Sequence, residues 1–154
     1  MKIRDATLAD VPSMSAILRE LTARGRRTSP DDEAFVRANY IESPHKVRCS
    51  VTEDEDGTVL GFQSLKVADE GNPWGVPPGW GIIGTHIHPA AARRGVGRAL
   101  FGVTRAAAAE AGLTDVDATI AATNVEGLAY YEAMGFRTYR TPEGRICKRL
   151  RVTS

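Results

Sequence analysis

The sequence predicts a mixed α/β domain whose elements follow the order β-α-α-β-β-β-α-β-α-β-β. Three observations carry that expectation. Apolar residues recur at helical spacing up to Ile41, the period changes to two from Lys46, and from Gly81 onward strand-like and helix-like segments alternate between Gly and Pro breaks. At 154 residues the chain suits one domain, 1–154, since a single core can bury most of its apolar surface.

The opening "KIRDA" reads as a short strand. A helix capped by Asp10 follows, with Pro12 in its first turn, a stripe of Met14, Ile17, Leu18 and Leu21, and Gly25 as its end. After the polar break "RGRRTSP", Ser29 or Asp31 caps a second helix that runs to about Ile41. Lys46 begins a strand with Val47, Cys49 and Val51 on one face and Lys46, Arg48, Ser50 and Thr52 on the other. "EDEDG" turns it into the second arm of a hairpin, "TVLGFQSLKVAD". "EGNPWGVPPG" is a loop, and "WGIIGTHIH" a strand in which Gly84 marks a bulge or a close packing contact. "GRALFGVTRAAAAEAG" is a helix with Val96, Leu100, Val103 and Ala107 on its inner face and Gly112 past its end. "TDVDATIAA" is a strand, "NVEGLAYYEAMG" a helix capped by Asn124, and "FRTYR" and "RICKRLRV" a closing hairpin around "TPEG".

Composition excludes several classes. A formal net charge of +1 provides no broad basic field for nucleic acid, and no apolar window is long enough to span a membrane. The N-terminus "MKIRDATLAD" lacks an apolar signal core, so a cytoplasmic location is the expectation. Cys49 and Cys147 have no short metal-type spacing and read as buried small hydrophobes; no metal is expected.

The turn "PAAARRGVGRAL" carries the functional signal. A helix that starts after a strand points unpaired N–H groups outward, and its dipole adds partial positive charge. Gly95 and Gly97 let an anion approach the backbone at Val96 and Ala99, and Arg93, Arg94 and Arg98 ring it with full charges, so a diphosphate fits. Other phosphate loops fail on the letters. The dinucleotide fingerprint needs a small residue where Leu100 stands and an acid where Ala121 and Ala122 end the next strand. A P-loop needs a lysine, and none occurs between Lys66 and Lys148.

The span Gly81–Phe136 resembles the GNAT superfamily of acyl-CoA-dependent N-acyltransferases. Ile87-His88-Pro89 followed by Arg93-Arg94-Gly95-Val96-Gly97 is similar to its pyrophosphate loop, with Ala92 where the family usually has Gln or Arg. Asn124, Gly127, Tyr131, Gly135 and Phe136 match its second signature, with Gly127 in place of an alanine. The resemblance implies a mixed, mostly antiparallel sheet of six or seven strands flanked by about four helices. It further implies acetyl-CoA as co-substrate, a splayed strand whose backbone near Ile87 and His88 meets the pantetheine arm, a cofactor contact at Asn124, and a small-molecule amine as partner. Homodimers are common in such families, but these letters define no interface.

Transfer from a thioester to an amine needs a base, a polarised carbonyl and an acid for the leaving thiolate. Tyr131 is the acid, because a phenol can protonate a thiolate and the family places a tyrosine there. Many relatives use a glutamate base on the strand before the loop, and this strand has none. His86, which shares a face with His88, is then either the base or a satisfied structural histidine. Arg24, Arg26 and Arg27 either attract an acid group on the acceptor or are simply solvated, and Trp74 and Trp80 either line an apolar wall or plug the core edge. The expected activity is N-acetyl transfer to a primary amine by direct attack in a ternary complex. The absent glutamate and Ala92 keep a second reading open, a non-catalytic CoA-binding sensor or regulatory module on the same fold.

Overall fold

The computed structural model describes residues 1–152. Seven strands form one sheet in the order β1-β2-β3-β4-β5-β7-β6: β1 (Lys2–Asp5), β2 (Lys46–Glu53), β3 (Val59–Val67), β4 (Gly81–Ile87), β5 (Asp115–Ala121), β6 (Arg137–Arg140) and β7 (Arg145–Arg151). Neighbours run antiparallel except β4 and β5, which are parallel and joined by the crossover helix α3 (Val96–Glu110). Helix α1 (Val11–Ala23) and α2 (Glu33–Val36), which widens into a π-turn at Arg37–Ile41, cover one face. Helix α3 and α4 (Val125–Ala133) cover the other. The element order is the one the sequence predicts. Among the described residues no helix is long and apolar enough to cross a membrane.

Each face has its own core. Met14, Ile17, Leu18 and Leu21 of α1 meet Val36, Tyr40, Cys49, Val51 and Phe62. Opposite, Phe101, Tyr131 and Phe136 pack on Leu65, Ile83, Val116, Ala118, Ile120 and Leu150. Leu18 is fully buried, so its truncation to alanine costs about 2–5 kcal/mol.

Several local expectations are corrected. Asp10 does not cap α1: its carboxylate takes both arms of Arg4 at 2.8 Å and the Thr7 N–H. Asp32, and neither Ser29 nor Asp31, caps α2 by accepting from the Phe35 N–H. Ser50 and Thr52 are as buried as Val51 because α3 lies over their face, and a register shift between Lys46 and Arg48 sends Val47 to the α3 side. On α3 the buried stripe is Val96, Leu100, Phe101, Thr104 and Ala108; Val103 and Ala107 are half-buried at its margin because Phe101 turns inward against Phe136. The β3–β4 register runs without a shift through Gly84, so Gly84 marks no bulge.

Candidate active site

The site begins where β4 leaves β5. The two strands pair only at Gly81↔Val116 and Ile82↔Asp117, and beyond that point they part. In an antiparallel ladder every second residue turns its N–H and C=O away from the partner. His88 N–H donates to Leu60 C=O and Ala68 N–H to Trp80 C=O, so the even positions of β4 bond to β3. The backbone groups of Ile83, Thr85 and Ile87 therefore point into the fork. Ile87 thus takes the position expected of it. His88 does not: its N–H goes to Leu60, its C=O accepts from Ala91, and its Nδ1 accepts from the Ala90 N–H at 3.0 Å, so it shapes the turn instead.

After Ile87 the chain makes a short 3-10 turn (Pro89–Ala91) and enters α3 through two left-handed residues, Arg93 at φ 64° and Gly95 at φ 80°. The first helical bond is donated by Ala99 to the Gly95 C=O at 3.0 Å. The amides of Val96, Gly97 and Arg98 precede it. Gly95 offers no side chain to cap them, the first turn holds no acid, and nothing lies within 4 Å of where a Cβ on Gly95 would be. Arg93, Arg94 and Arg98 are exposed around this concavity, which suits a doubly charged oxyanion group. Two expectations change. Ala99's N–H is committed to the helix, so it is not an anion donor. Gly97 is buried, and a Cβ there would lie 2.6 Å from Tyr130 Cε1, so it makes room for a ring instead of a phosphate.

That ring belongs to α4. Asn124 caps this helix by accepting from the Gly127 N–H at 3.0 Å, and a Cβ on Gly127 would collide with Asn124 Nδ2 at 2.5 Å. The glycine in place of alanine is thus what lets the cap fit, and capping accounts for Asn124 in this structure. Tyr130 and Tyr131 both turn inward, ring centroids 5.0 Å apart. Tyr130 donates to the Gly97 C=O at 2.7 Å and accepts from Gln63 Nε2 at 3.0 Å; burial pushes its phenol up to about 12.

Tyr131, 6% exposed, reaches the fork, where its hydroxyl meets Thr85 Oγ1 at 2.8 Å. Burial raises its phenol above the ordinary tyrosine value, against the opposing pull of Thr85. Gln63, fully buried, donates to Thr85 Oγ1 at 2.9 Å as well as to Tyr130, while its own Oε1 has no protein partner.

On the opposite face, His86 Nε2 lies 3.4 Å from the Tyr40 hydroxyl, and its ring packs at 4.8 Å from Phe62. Desolvation, with the charge of Arg27 adding to it, lowers the imidazole to about 3. It is neutral at physiological pH and a weak proton acceptor, which argues against the base expected at His86 and for a packing role. A stronger acceptor lies at the apex of the fork. Asp117 is fully buried, burial raises its carboxyl above the usual range, and it accepts from Tyr139 Oη at 2.5 Å and Thr119 Oγ1 at 2.7 Å.

Of the three arginines after α1, Arg24 pairs with Glu20 and Arg26 with Glu126 on α4. Arg27 alone turns inward, over the Phe35 ring at 5.6 Å. Trp80 stacks on Tyr139 at 5.4 Å, while Trp74 is an exposed rim residue whose C=O accepts from Arg140. Gln63, Thr85, Asp117 and Tyr139 carried no motif in the sequence. The alternation along β4 put Thr85 opposite His86, and that was the one signal available.

A parallel pair that forks beside a helix N-terminus, with a tyrosine reaching the fork, defines a mixed α/β fold with an anion-accepting turn at the mouth of a split sheet. The profile of the acetyltransferase (GNAT) family matches residues 13–136, and the chain belongs to that family, the acetyl-CoA-dependent N-acetyltransferases. A GCN5-related N-acetyltransferase from Kribbella flavida is similar over 97% of this chain and 96% of its own, with 24% identity and a TM-score of 0.81. A GNAT superfamily phosphinothricin acetyltransferase from Sinorhizobium meliloti in complex with acetyl-CoA has 20% identity and a TM-score of 0.77, covering 97% of this chain and 87% of its own. The PaiA N-acetyltransferase from Thermoplasma acidophilum in complex with coenzyme A has 16% identity and a TM-score of 0.74, covering 97% and 98%. No curated protein matches the sequence.

Proposed function

We propose that this chain binds acetyl-CoA and transfers its acetyl group to the primary amine of a small molecule by direct attack in a ternary complex. The observation that carries the reading is the alignment of three features along one path: open amides at the start of α3, free backbone groups of Ile83, Thr85 and Ile87 in the fork, and the Tyr131 hydroxyl at its far side. Val96, Gly97 and Arg98 amides, with Arg93 and Arg94, would hold the diphosphate, and Ile87 the pantetheine arm. Acetyl-CoA supplies a thioester whose carbon accepts the amine lone pair and whose sulfur leaves as a thiolate.

Tyr131 donates its proton to that sulfur. Thr85 supports it by giving its hydroxyl proton to the Tyr131 oxygen, where phenolate charge develops. A Thr85 amide in the same row offers an N–H to the carbonyl oxygen. Proton loss from the amine falls to the Asp117–Tyr139 pair: the Tyr139 oxygen takes the amine proton as Tyr139 gives its own to the Asp117 carboxylate. His86, with its lowered pKa, plays no part in that step.

The test is calorimetric titration with acetyl-CoA, with NADH as control, followed by a thiol-release assay over an amine panel. Acetyl-CoA binding with amine-dependent thiol release supports transfer. Binding without release on any amine would favour the sensor reading, and no binding removes both.

A further inference from the structure

Four groups converge on the α1/α2 face beside Gly84, and none of them is acidic. Tyr40 stands at their centre. Its hydroxyl meets His86 Nε2, its ring lies 5.4 Å beneath Lys66 Nζ, and it packs edge-on at 5.9 Å against Phe35, the ring that carries Arg27. Lys66 makes no hydrogen bond or ion pair among the described residues. Burial lowers its ammonium from the ordinary lysine value. Arg27 spends one nitrogen on the Pro30 C=O, while its buried Nε has no partner. Asp117, on β5, is already taken up by Tyr139 and Thr119. Above Gly84 a Cβ would meet only His86 Nε2, at 3.4 Å, so no other group fills the space directly over that glycine.

A half-buried ammonium without a counter-charge is costly, and so is a buried guanidinium N–H without an acceptor. An oxyanion on a ligand is the group that removes either cost. We propose that Lys66 and Arg27 form the subsite for an acid group on the acceptor, so that the amine acetylated here belongs to an amino acid. This rests on the transfer reading, and deepens it by naming the substrate class. The carboxylate lies against Lys66 and Arg27, the Tyr40 and His86 rings wall the space between, and the amine end is left toward Gly84 and the thioester path.

The experiment uses the twenty common L-amino acids and the corresponding L-amino acid amides, which keep the amine and remove the charge. Calorimetric titration of CoA-saturated protein is expected to show binding of one or more acids, with each matching amide about 10–100-fold weaker, the range of one or two charged hydrogen bonds. Lys66→Gln and Arg27→Gln are each expected to raise the acid's KM about tenfold and to leave that of acetyl-CoA unchanged. Because Lys66 is uncompensated without ligand, Lys66→Gln is also expected to melt no lower than the parent protein, which a merely structural lysine would not allow. Equal binding of acid and amide, binding of neither, or variants that leave the acid's KM unmoved would overturn the subsite. Transfer is read separately: an acid that binds in this charge-dependent way and is never acetylated would sink the transfer reading alone.

Discussion

The hydroxyls of Thr85 and Tyr131 meet at 2.8 Å across the fork between β4 and β5, one from the strand that parts from β5 and one from the helix that follows β5. Nothing in the regular ladder holds the strands there, so this contact fixes where the Tyr131 hydroxyl, the proposed proton donor, stands. Tyr131→Phe is expected to lower kcat by about 10²–10⁴-fold while the acetyl-CoA Kd is unchanged. Thr85→Val removes the support alone and is expected to lower kcat about tenfold. In the double variant the loss equals that of Tyr131→Phe, because Thr85 acts only through the phenol; additive losses would refute the assignment. The raised Tyr131 pKa keeps the donor protonated, so kcat shows no alkaline fall from this group below pH about 10.

The two glycines of the loop are expected to respond differently. Gly97→Ala drives a methyl into Tyr130 at 2.6 Å and is expected to destabilise by about 1–3 kcal/mol in urea unfolding. Gly95→Ala meets open space and pays only for its left-handed backbone, about 1–2 kcal/mol. Tyr130→Leu, which clears the obstructing ring edge, is expected to recover part of the Gly97→Ala loss and none of the Gly95→Ala loss.

Stability is expected to fall on mild acidification because of His86. Its folded pKa of about 3 lies below the unfolded value near 6.5, so the unfolded chain binds the proton first, and stability declines as pH drops through that window. Asp10, held low by Arg4, and Asp115, where burial pushes up and Arg149 and Thr114 together pull further down, lose their contribution only below the ordinary carboxylate range. Melting curves of His86→Gln between pH 6.5 and 4.5 are expected to lose the parent's acid-side decline, and the raised Asp117 carboxyl gives any slope that remains the opposite sign. An unchanged slope would mean that the imidazole titrates normally.

Asp117→Asn and Tyr139→Phe are expected to lower kcat alike and without additivity, since each breaks the same proton path. Because burial raises the Asp117 carboxyl, activity in the parent protein rises with pH through a limb above the ordinary carboxylate range of about 4. That limb is expected to vanish in Asp117→Asn. If it persists in kcat against pH, the proton leaves by another group.

The fold was largely legible because each element announced itself locally: Gly25 and Gly112 close α1 and α3, and the period of two begins where β2 does. The left-handed turn into α3 was legible for the same reason. What escaped was tertiary. Ser50 and Thr52 look like solvent-facing residues until α3 is laid over them, and Gly97 looks like a phosphate glycine until Tyr130, far along the chain, is seen to fill its place. Asp117 and Gln63 sit in strands whose letters show alternation but not depth, and depth is what changes their chemistry. His86 was legible as a position on β4, while the desolvation that lowers its imidazole was not.

Tyr130 grips the start of α3 at Gly97, and Tyr131, the next residue, holds the hydroxyl at the fork. One peptide bond therefore links the anchor of the α3 start to the proposed proton donor, and on that proposal the two behave as the ends of a fixed gauge. A carrier whose phosphate-to-sulfur reach differs from that span would dock at one end and miss the other. Acyl length beyond the sulfur is not measured by this gauge at all, so discrimination among acyl groups has to arise on the far side of the fork.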